Sequence, residues 1–428
     1  MPQPLHTQLT FSFSTASEPE VPSTGQASLQ IRGSETLTDN EKQLLFASKL
    51  AKFAPVEVWT AMGTNKQLAY GTHGLFRYFG KFPPPIAAHL IAACTSKGGV
   101  VLDPMCGSGT TGVEAVLAGR KCILNDVNPL SVLLSKVKTR HLDRRALFEE
   151  FGRILETYRP MTEDEDDFRP QGLRDIGHWF LPETCDSLRG LKCRIESIEN
   201  PDIRDFFRVC FASIVRRVSR ATTQQGRLFL DAETAEKDAL PFFVRRTQQA
   251  MEAVAQLPAA APSPDIRSFD LRDGIPPDLR KVADLVICHP PYFNAYKYSS
   301  INSLELAWLG DNHRQIAKSE VREFFKVGKE ENAKVYVDDM ERTLRHLRQA
   351  LADRGCLALM IGDTVIHGNY LPVTHDLAER VRDIFDVERV VLRAPKYTEA
   401  SWAASQRREG GKVGITLYDF ILLLKGKP

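Results

Sequence analysis

The stretch that most restricts the fold is DPMCGSGTTGVEAVLAG, from Asp103 to Gly119. An apolar run, GVVL, leads into it, and a helix-compatible run, TTGVEAVLA, leads out. A strand that ends on an acid and passes through glycines into a helix leaves main-chain N–H groups open at the helix start, with no Cβ to hold a ligand off. The next apolar run, KCILND, ends on Asp126, 23 residues beyond Asp103. From that position an acidic side chain reaches ribose hydroxyls. Asp103, Pro104, Met105, Cys106, Gly107, Gly109 and Asp126 are therefore read as a nucleoside-binding set, and the strand–loop–helix–strand order predicts an α/β fold with a mostly parallel sheet.

The rest of the chain is organised around that unit. Residues 1–38 mix Pro, Ser, Thr, Gln and Gly without a sustained apolar period, so a disordered N-terminal tail is expected. Helical periodicity begins at Asp39 (DNEKQLLFASKLAKFA), and a second helix is expected to start in Pro83-Pro84-Pro85, where fixed φ suits a first turn. ADLVICHPPY, CLALMIGD, ERVVLRA and LYDFILLLK read as four further strands, the last of them antiparallel. Between 141 and 262 the pattern is helical without clear strands. The expected divisions are thus 39–140, a cofactor-binding half; 141–262, an inserted helical module; and 263–428, a catalytic half. The insertion carries Arg204, Arg208, Arg216, Arg217, Arg220 and Arg227, which read either as solvated helix faces or as a surface for a nucleic-acid backbone. No apolar run approaches the roughly 20 residues of a membrane span, and no basic start followed by an apolar core is apparent, so a cytoplasmic protein is expected. Eight cysteines without CxxC or Cys/His spacing predict reduced thiols and no metal centre.

The second constellation is Asp284-Leu-Val-Ile-Cys-His-Pro-Pro-Tyr292, an apolar strand ending in two prolines and an aromatic ring. Prolines stiffen the loop and leave carbonyls as fixed acceptors, while a Tyr ring can stack on a planar base. These are the parts needed to act on an exocyclic amino group, a poor nucleophile that must be held by acceptors in line with an alkyl donor. His289, Pro290, Pro291 and Tyr292 are the candidate catalytic residues. Attack at carbon 5 of a pyrimidine would need a cysteine nucleophile following proline, and the chain has no Pro-Cys pair. Gly107, Gly109 and Gly112 also satisfy GxGxxG, which nicotinamide-dependent enzymes share. The acid before the loop and the downstream HPPY turn favour S-adenosylmethionine over NAD.

Together DPMCGSGTT, HGLFRYFGKFPPPIAAHLI and HPPYFNAYKYSSINSLELAWLG resemble the amino-methylating DNA methyltransferases of bacteria, the N4-cytosine and N6-adenine enzymes. The resemblance implies a Rossmann-like S-adenosylmethionine-dependent methyltransferase fold and double-stranded DNA as substrate, with the target base flipped out. It implies transfer to an amino group, with N4 of cytosine favoured over N6 of adenine. Asp103, Gly107 and Gly109 would contact the methionine part of the donor and Asp126 its ribose. Asp270 would contact the adenine, Phe79, Lys81 and Phe82 would wall the pocket, and residues 289–292 would meet the target amino group. The region 141–262 would recognise the target, and a partner nuclease would complete a restriction–modification pair. Where the family carries Ser, Asp or Asn, this chain has His289. Neutral imidazole has one acceptor nitrogen and imidazolium none, so activity is expected to fall as His289 protonates. An RNA amino methyltransferase (guanine-N2 or adenine-N6) and a non-catalytic DNA-binding subunit are the alternative readings.

Overall fold

The computed structural model describes residues 27–224, 227–293, 297–321, 331–366, 369–394, 413–415 and 418–428. The chain opens with β1 (Ser28–Gly33), α1 (Asp39–Ser48), β2 (Val56–Met62) and α2 (Pro84–Cys94). The predicted unit follows as β3 (Val100–Asp103), α3 (Thr110–Leu117), β4 (Lys121–Asn125) and α4 (Pro129–Lys138). A helical stretch comprises α5 (Arg144–Thr157), α6 (Pro182–Glu196), α7 (Pro201–Val218), a hairpin of β5 (Ala221–Gln224) and β6 (Arg227–Leu230), and α8 (Ala239–Val254). The second half begins with β7 (Asp265–Arg267), β8 (Ala283–Cys288), the short helices α9 (Tyr298–Ile301), α10 (Ser303–Leu309) and α11 (His313–Ile316), and the long α12 (Glu331–Ala350). It closes with β9 (Leu351–Ile361), β10 (Thr364–Ile366), β11 (Asn369–Leu371), α13 (Val373–Arg380), β12 (Phe385–Arg393), β13 (Val413–Ile415) and β14 (Asp419–Gly426).

One nine-stranded sheet, in the order β1-β2-β12-β14-β9-β8-β3-β4-β7, forms the body. From β7 through β9 every pairing is parallel; β14 runs antiparallel to both β9 and β12, and β1 runs antiparallel to β2. The mostly parallel sheet with an antiparallel C-terminal strand is therefore the one expected, and the fold is Rossmann-like α/β. Its two faces follow the period-2 alternation of buried strands. Leu102, Val286 and Leu357 join the core beneath α12 and α13, while Val101, Leu285 and Ile287 join the core beneath α2 and α3. From β3 the chain crosses through α3 to β4 on one side, and from β8 it crosses through α12 to β9 on the other. The carboxyl ends of β3 and β8 thus flank a topological switch point, where a crevice forms in sheets of this kind.

Local chemistry sets the helix starts. Thr38 and Glu41 form a reciprocal capping box, with Glu41 N donating to Thr38 Oγ1 at 3.3 Å and Thr38 N to Glu41 Oε2 at 2.8 Å. α2 begins on Pro84 and Pro85, as the proline stretch predicts. Asn128 Oδ1 caps α4 by accepting from Leu130 N at 3.0 Å.

Two expectations need correction. The predicted disordered tail runs to residue 38, but Ser28–Gly33 is an edge strand in register with β2, from Ser28 opposite Met62 to Gly33 opposite Glu57. Main-chain pairing orders it, and Arg32 meets the nearly buried Glu41 at 2.6 Å; residues 1–26 lie outside those described. The insertion also carries the β5–β6 hairpin, where only helices were expected. Its helices share a core with α4 and α10: Leu188, Phe207, Phe211 and Phe243 pack in one cluster with Leu130, Leu134, Leu304 and Trp308. Among the described residues no helix is long and apolar enough to cross a membrane.

Candidate active site

The crevice at the switch point is an open cleft enclosing about 830 Å³ of space, its mouth to solvent included. It is bounded by the ends of four neighbouring strands. β3 supplies Asp103 and the loop Pro104–Ser108, and β4 supplies Asn125–Asn128. The segment after β7 supplies Phe269–Leu271, and β8 supplies His289 and Pro291. Phe82 closes one side at the entry to α2. Asn125, which no sequence motif marks, binds three of these loops together. Its Nδ2 donates to the carbonyls of Pro104 and Phe269, both at 3.0 Å, and its Oδ1 accepts from Phe269 N at 2.9 Å.

The glycine loop is shaped by its backbone. Gly107 and Gly109 sit at φ +49° and +73°, where a side chain is strained, and a Cβ on Gly109 would lie 2.9 Å from Ser135 Oγ. Gly109 does not line the cleft. It turns the chain, its N–H donating to Cys106 O at 2.7 Å, and caps α3. Gly112 has another role: a Cβ there would come within 2.5 Å of Leu124, so it lets α3 pack on β4. Beneath the loop the fully buried Lys138 donates to Ser108 O. Further out, His73 Nε2 lies 2.6 Å from Glu114 Oε1, Tyr70 Oη donates to the same oxygen at 2.6 Å, and Lys81 Nζ donates to His73 O at 2.6 Å. Burial pushes His73 down to about 4, so this histidine is a neutral structural member of the support.

Two carboxylates stand at the predicted cofactor positions. Asp103 accepts from Met105 N at 3.1 Å, and burial pushes it up to about 7. Asp126 accepts from Gly107 N at 2.8 Å and Asn128 N at 2.9 Å, and burial pushes it up to about 6 against those two bonds. Cys106 is buried with Sγ 3.2 Å from Ser135 Oγ, and burial raises its thiol well above the ordinary range. Asp270 is on the cleft wall, paired with Arg272 at 2.5 Å; burial pushes it up, but the Arg272 hydrogen bonds and charge prevail and hold it low.

The HPPY turn is divided by the fold. His289 and Pro291 face the cleft, whereas Pro290 is buried and Tyr292 leaves the wall to lie across Gly362, where a Cβ would approach its ring to 2.9 Å. His289 Nε2 lies 3.1 Å from Tyr292 Oη, and its ring stands edge-on to Phe82 with centroids 5.4 Å apart. Tyr336 Oη donates to Pro291 O at 2.7 Å and holds the far side of the turn. Of the continuation FNAYKY, residues 294–296 lie outside those described. Tyr78 and Tyr298, stacked with centroids 5.8 Å apart, and Glu320 complete the wall. Both tyrosines lie within motifs already quoted, but nothing in the sequence set them apart from their neighbours. Phe79 is not on the wall; the guanidiniums of Arg77 and Arg216 lie 5.4 Å and 5.8 Å from its ring.

Fold and cleft together define a Rossmann-like protein with an open pocket at its switch point. Residues 30–136, from β1 through most of α4, match the model of a family described as DNA methylase. The chain is 32% identical over 132 residues to the type II methyltransferase M.MvaI of Kocuria varians, covering 30% of this chain and 29% of that protein. It is 27% identical over 106 residues to the type II methyltransferase M.MjaII of Methanocaldococcus jannaschii, covering 24% of this chain and 20% of that one. The matches thus span less than a third of either relative. Among solved structures, TrmN from Thermus thermophilus overlaps 82% of this chain and 50% of its own at 11% identity, with a TM-score of 0.32, too slight a likeness to add to the reading. S-adenosylmethionine is the cofactor that the matched methylase segment implies. The residues present suit it: the buried acid Asp126 at the end of β4, an open glycine loop and an apolar wall from Phe82, Phe269 and Leu271.

Proposed function

We propose that this chain methylates DNA, transferring the methyl group of S-adenosylmethionine to the exocyclic amino nitrogen of a flipped-out base, with N4 of cytosine preferred to N6 of adenine. The observation that carries the reading is that the glycine loop with Asp126 and the HPPY turn, 163 residues apart from Asp126 to His289, open into one cleft. A donor pocket and an amino-group turn must share one space for direct transfer.

When bound, the donor would supply an electrophilic methyl on its sulfonium, with a thioether as leaving group. The chain's own residues do the rest. Asp103 and the loop N–H groups would hold the methionine part, Asp126 the ribose and Asp270 the adenine. The stacked Tyr78 and Tyr298 and the ring of Phe82 exclude water from the space in front of His289. His289 in its neutral form has one acceptor nitrogen. The carbonyl of His289, fixed by the proline after it, supplies a further acceptor for the amino hydrogens, localising the nitrogen lone pair toward the methyl. As the N–C bond forms and the donor's C–S bond breaks, the proton that the nitrogen gives up passes to the acceptor nitrogen of neutral His289 and from there to solvent. The helical region 141–262 is the target-recognising part, and a cytoplasmic setting with a cognate nuclease fits the role.

The test is to express the chain in a methylation-free host and sequence the DNA by a long-read method that reports base and context together. N4-methylcytosine in a fixed context supports the proposal, and DNA without amino methylation overturns it. N6-methyladenine would move the target base while keeping the chemistry.

A further inference from the structure

The loop that follows α11 brings to the cleft a side chain the glycine and HPPY motifs do not contain. Glu320 is 7% exposed. Its Oε2 accepts from Ser299 Oγ at 2.9 Å and its Oε1 from Asn128 Nδ2 at 3.3 Å. Ser299, at the start of α9, is fully buried, and Asn128, the cap of α4, nearly so. The carboxylate is therefore gripped from two elements. Asn128 is also the residue whose main-chain N–H binds Asp126 Oδ1, so one residue holds both acids beside each other. Both line the cleft, and each has a raised proton affinity: burial pushes Glu320 up to about 7, with the charge of Asp126 adding to the effect.

Among the described residues no Lys or Arg lies within ion-pair distance of Asp126 or Glu320; the guanidinium of Arg272, which reaches Ser319 O at 3.1 Å, is committed to Asp270. Among the described residues the two carboxylates have no cation beside them, and donors brought by a ligand would stabilise their ionised forms. An ionised carboxyl group has about four acceptor positions. Glu320 uses three, on the hydroxyl and the main-chain N–H of Ser299 and on Asn128, and keeps one for a ligand, while Asp126, held by Gly107, Asn128, Val127 and Ser131, lines the same cleft. A vicinal diol presents two O–H donors on adjacent carbons, which two adjacent carboxylates can share.

We propose that Glu320 is a second ribose-binding carboxylate, taking the vicinal hydroxyls of the donor together with Asp126. This rests on the reading that the cleft holds S-adenosylmethionine. The test is calorimetric binding at pH 8, with the full chain and its Glu320→Gln variant, of S-adenosylmethionine and of 5′-methylthioadenosine, which keeps the ribose and lacks the amino-acid part. Replacing charge-assisted bonds by neutral ones is expected to weaken both ligands about tenfold. The unliganded variant is expected to melt at or above the wild-type temperature, because a buried charge is gone. Unchanged affinity for both ligands overturns the inference, as does a loss confined to S-adenosylmethionine, which would place the carboxylate at the ammonium. A lower melting temperature with equal loss of both ligands also overturns it, in favour of a purely structural role. Wild-type protein that binds neither nucleoside would overturn the cofactor reading itself. Wild-type binding that the variant leaves intact overturns only the role of Glu320.

Discussion

At the scale of single residues the cleft concentrates acids whose protons are held unusually tightly: Asp103 near 7, Asp126 near 6 and Glu320 near 7, each raised by burial. Tyr78, Tyr298 and Lys81 face the same space, with Lys81 pushed by burial down to about 8. A carboxyl group whose pKa is higher folded than unfolded favours the fold at low pH, and that contribution is lost as pH rises through the folded value. The unliganded chain should therefore lose stability on this account between about pH 5 and 8. A ligand that hydrogen-bonds to the charged acids should restore it, so the rise in melting temperature caused by S-adenosylmethionine should grow over the same interval. A rise that shrinks with pH in thermal melts would contradict the assignment. His289 is separable from this effect at saturating donor. There His289→Asn, which keeps an acceptor that cannot protonate, should retain methylation and remove the acidic fall in rate, while His289→Ala should lose about 100-fold in kcat. A rate profile for His289→Asn identical in shape to wild type would remove the imidazole from the mechanism.

The elements explain why these residues meet. The turn from β3 into α3 depends on a backbone conformation natural to glycine, and Gly109→Ala would meet both positive φ and the side chain of Ser135. We expect a loss of about 1–3 kcal/mol in urea unfolding, accompanied by weaker donor binding because the loop N–H groups shift. Full donor affinity with lost stability would mean that loop shape and binding are uncoupled. This turn was legible in the sequence because its signal is local: an apolar strand, glycines at fixed spacing, then a helix. β1, β2 and β7 carried no such signal. SLQIRG has only two apolar residues, VEVWTAM breaks its alternation at Val58-Trp59, and β7 is three residues long. Each becomes a strand because a neighbour supplies main-chain partners, as β2 does for β1. The β5–β6 hairpin was hidden in the same way, lying against α9 at the far end of the catalytic segment.

For the whole molecule, the structure divides the arginines that the sequence grouped together. Arg216 is largely buried, meets Glu305 at 2.8 Å and donates to Ile301 O at 2.8 Å, tying α7 to the α9–α10 segment beside the cleft. Arg208 is paired with Glu196, while Arg217 is exposed. Arg216→Ala should therefore destabilise the fold by about 3–5 kcal/mol, because it strands the buried Glu305, as denaturant unfolding will report. If α7 presents a face to the phosphate backbone, Arg217→Ala should leave the melting temperature unchanged and reduce the salt dependence of DNA binding by about one in slope. An unaltered slope would take Arg217 out of the interface.

The sequence by itself determined the α/β class, the glycine turn, the two acids at strand ends and the HPPY turn, since each is written in contiguous residues whose backbone preferences are local. Only the tertiary structure decided that these segments share one cleft, because that depends on β3 and β8 lying side by side across a long insertion. It also removed Pro290, Tyr292 and Gly109 from the cleft wall, because the direction of a side chain at a turn is set by what packs behind it. And it brought Asn125 to bind three loops and Glu320 to stand beside Asp126, since hydrogen bonds between residues far apart in the chain leave no pattern in the order of amino acids.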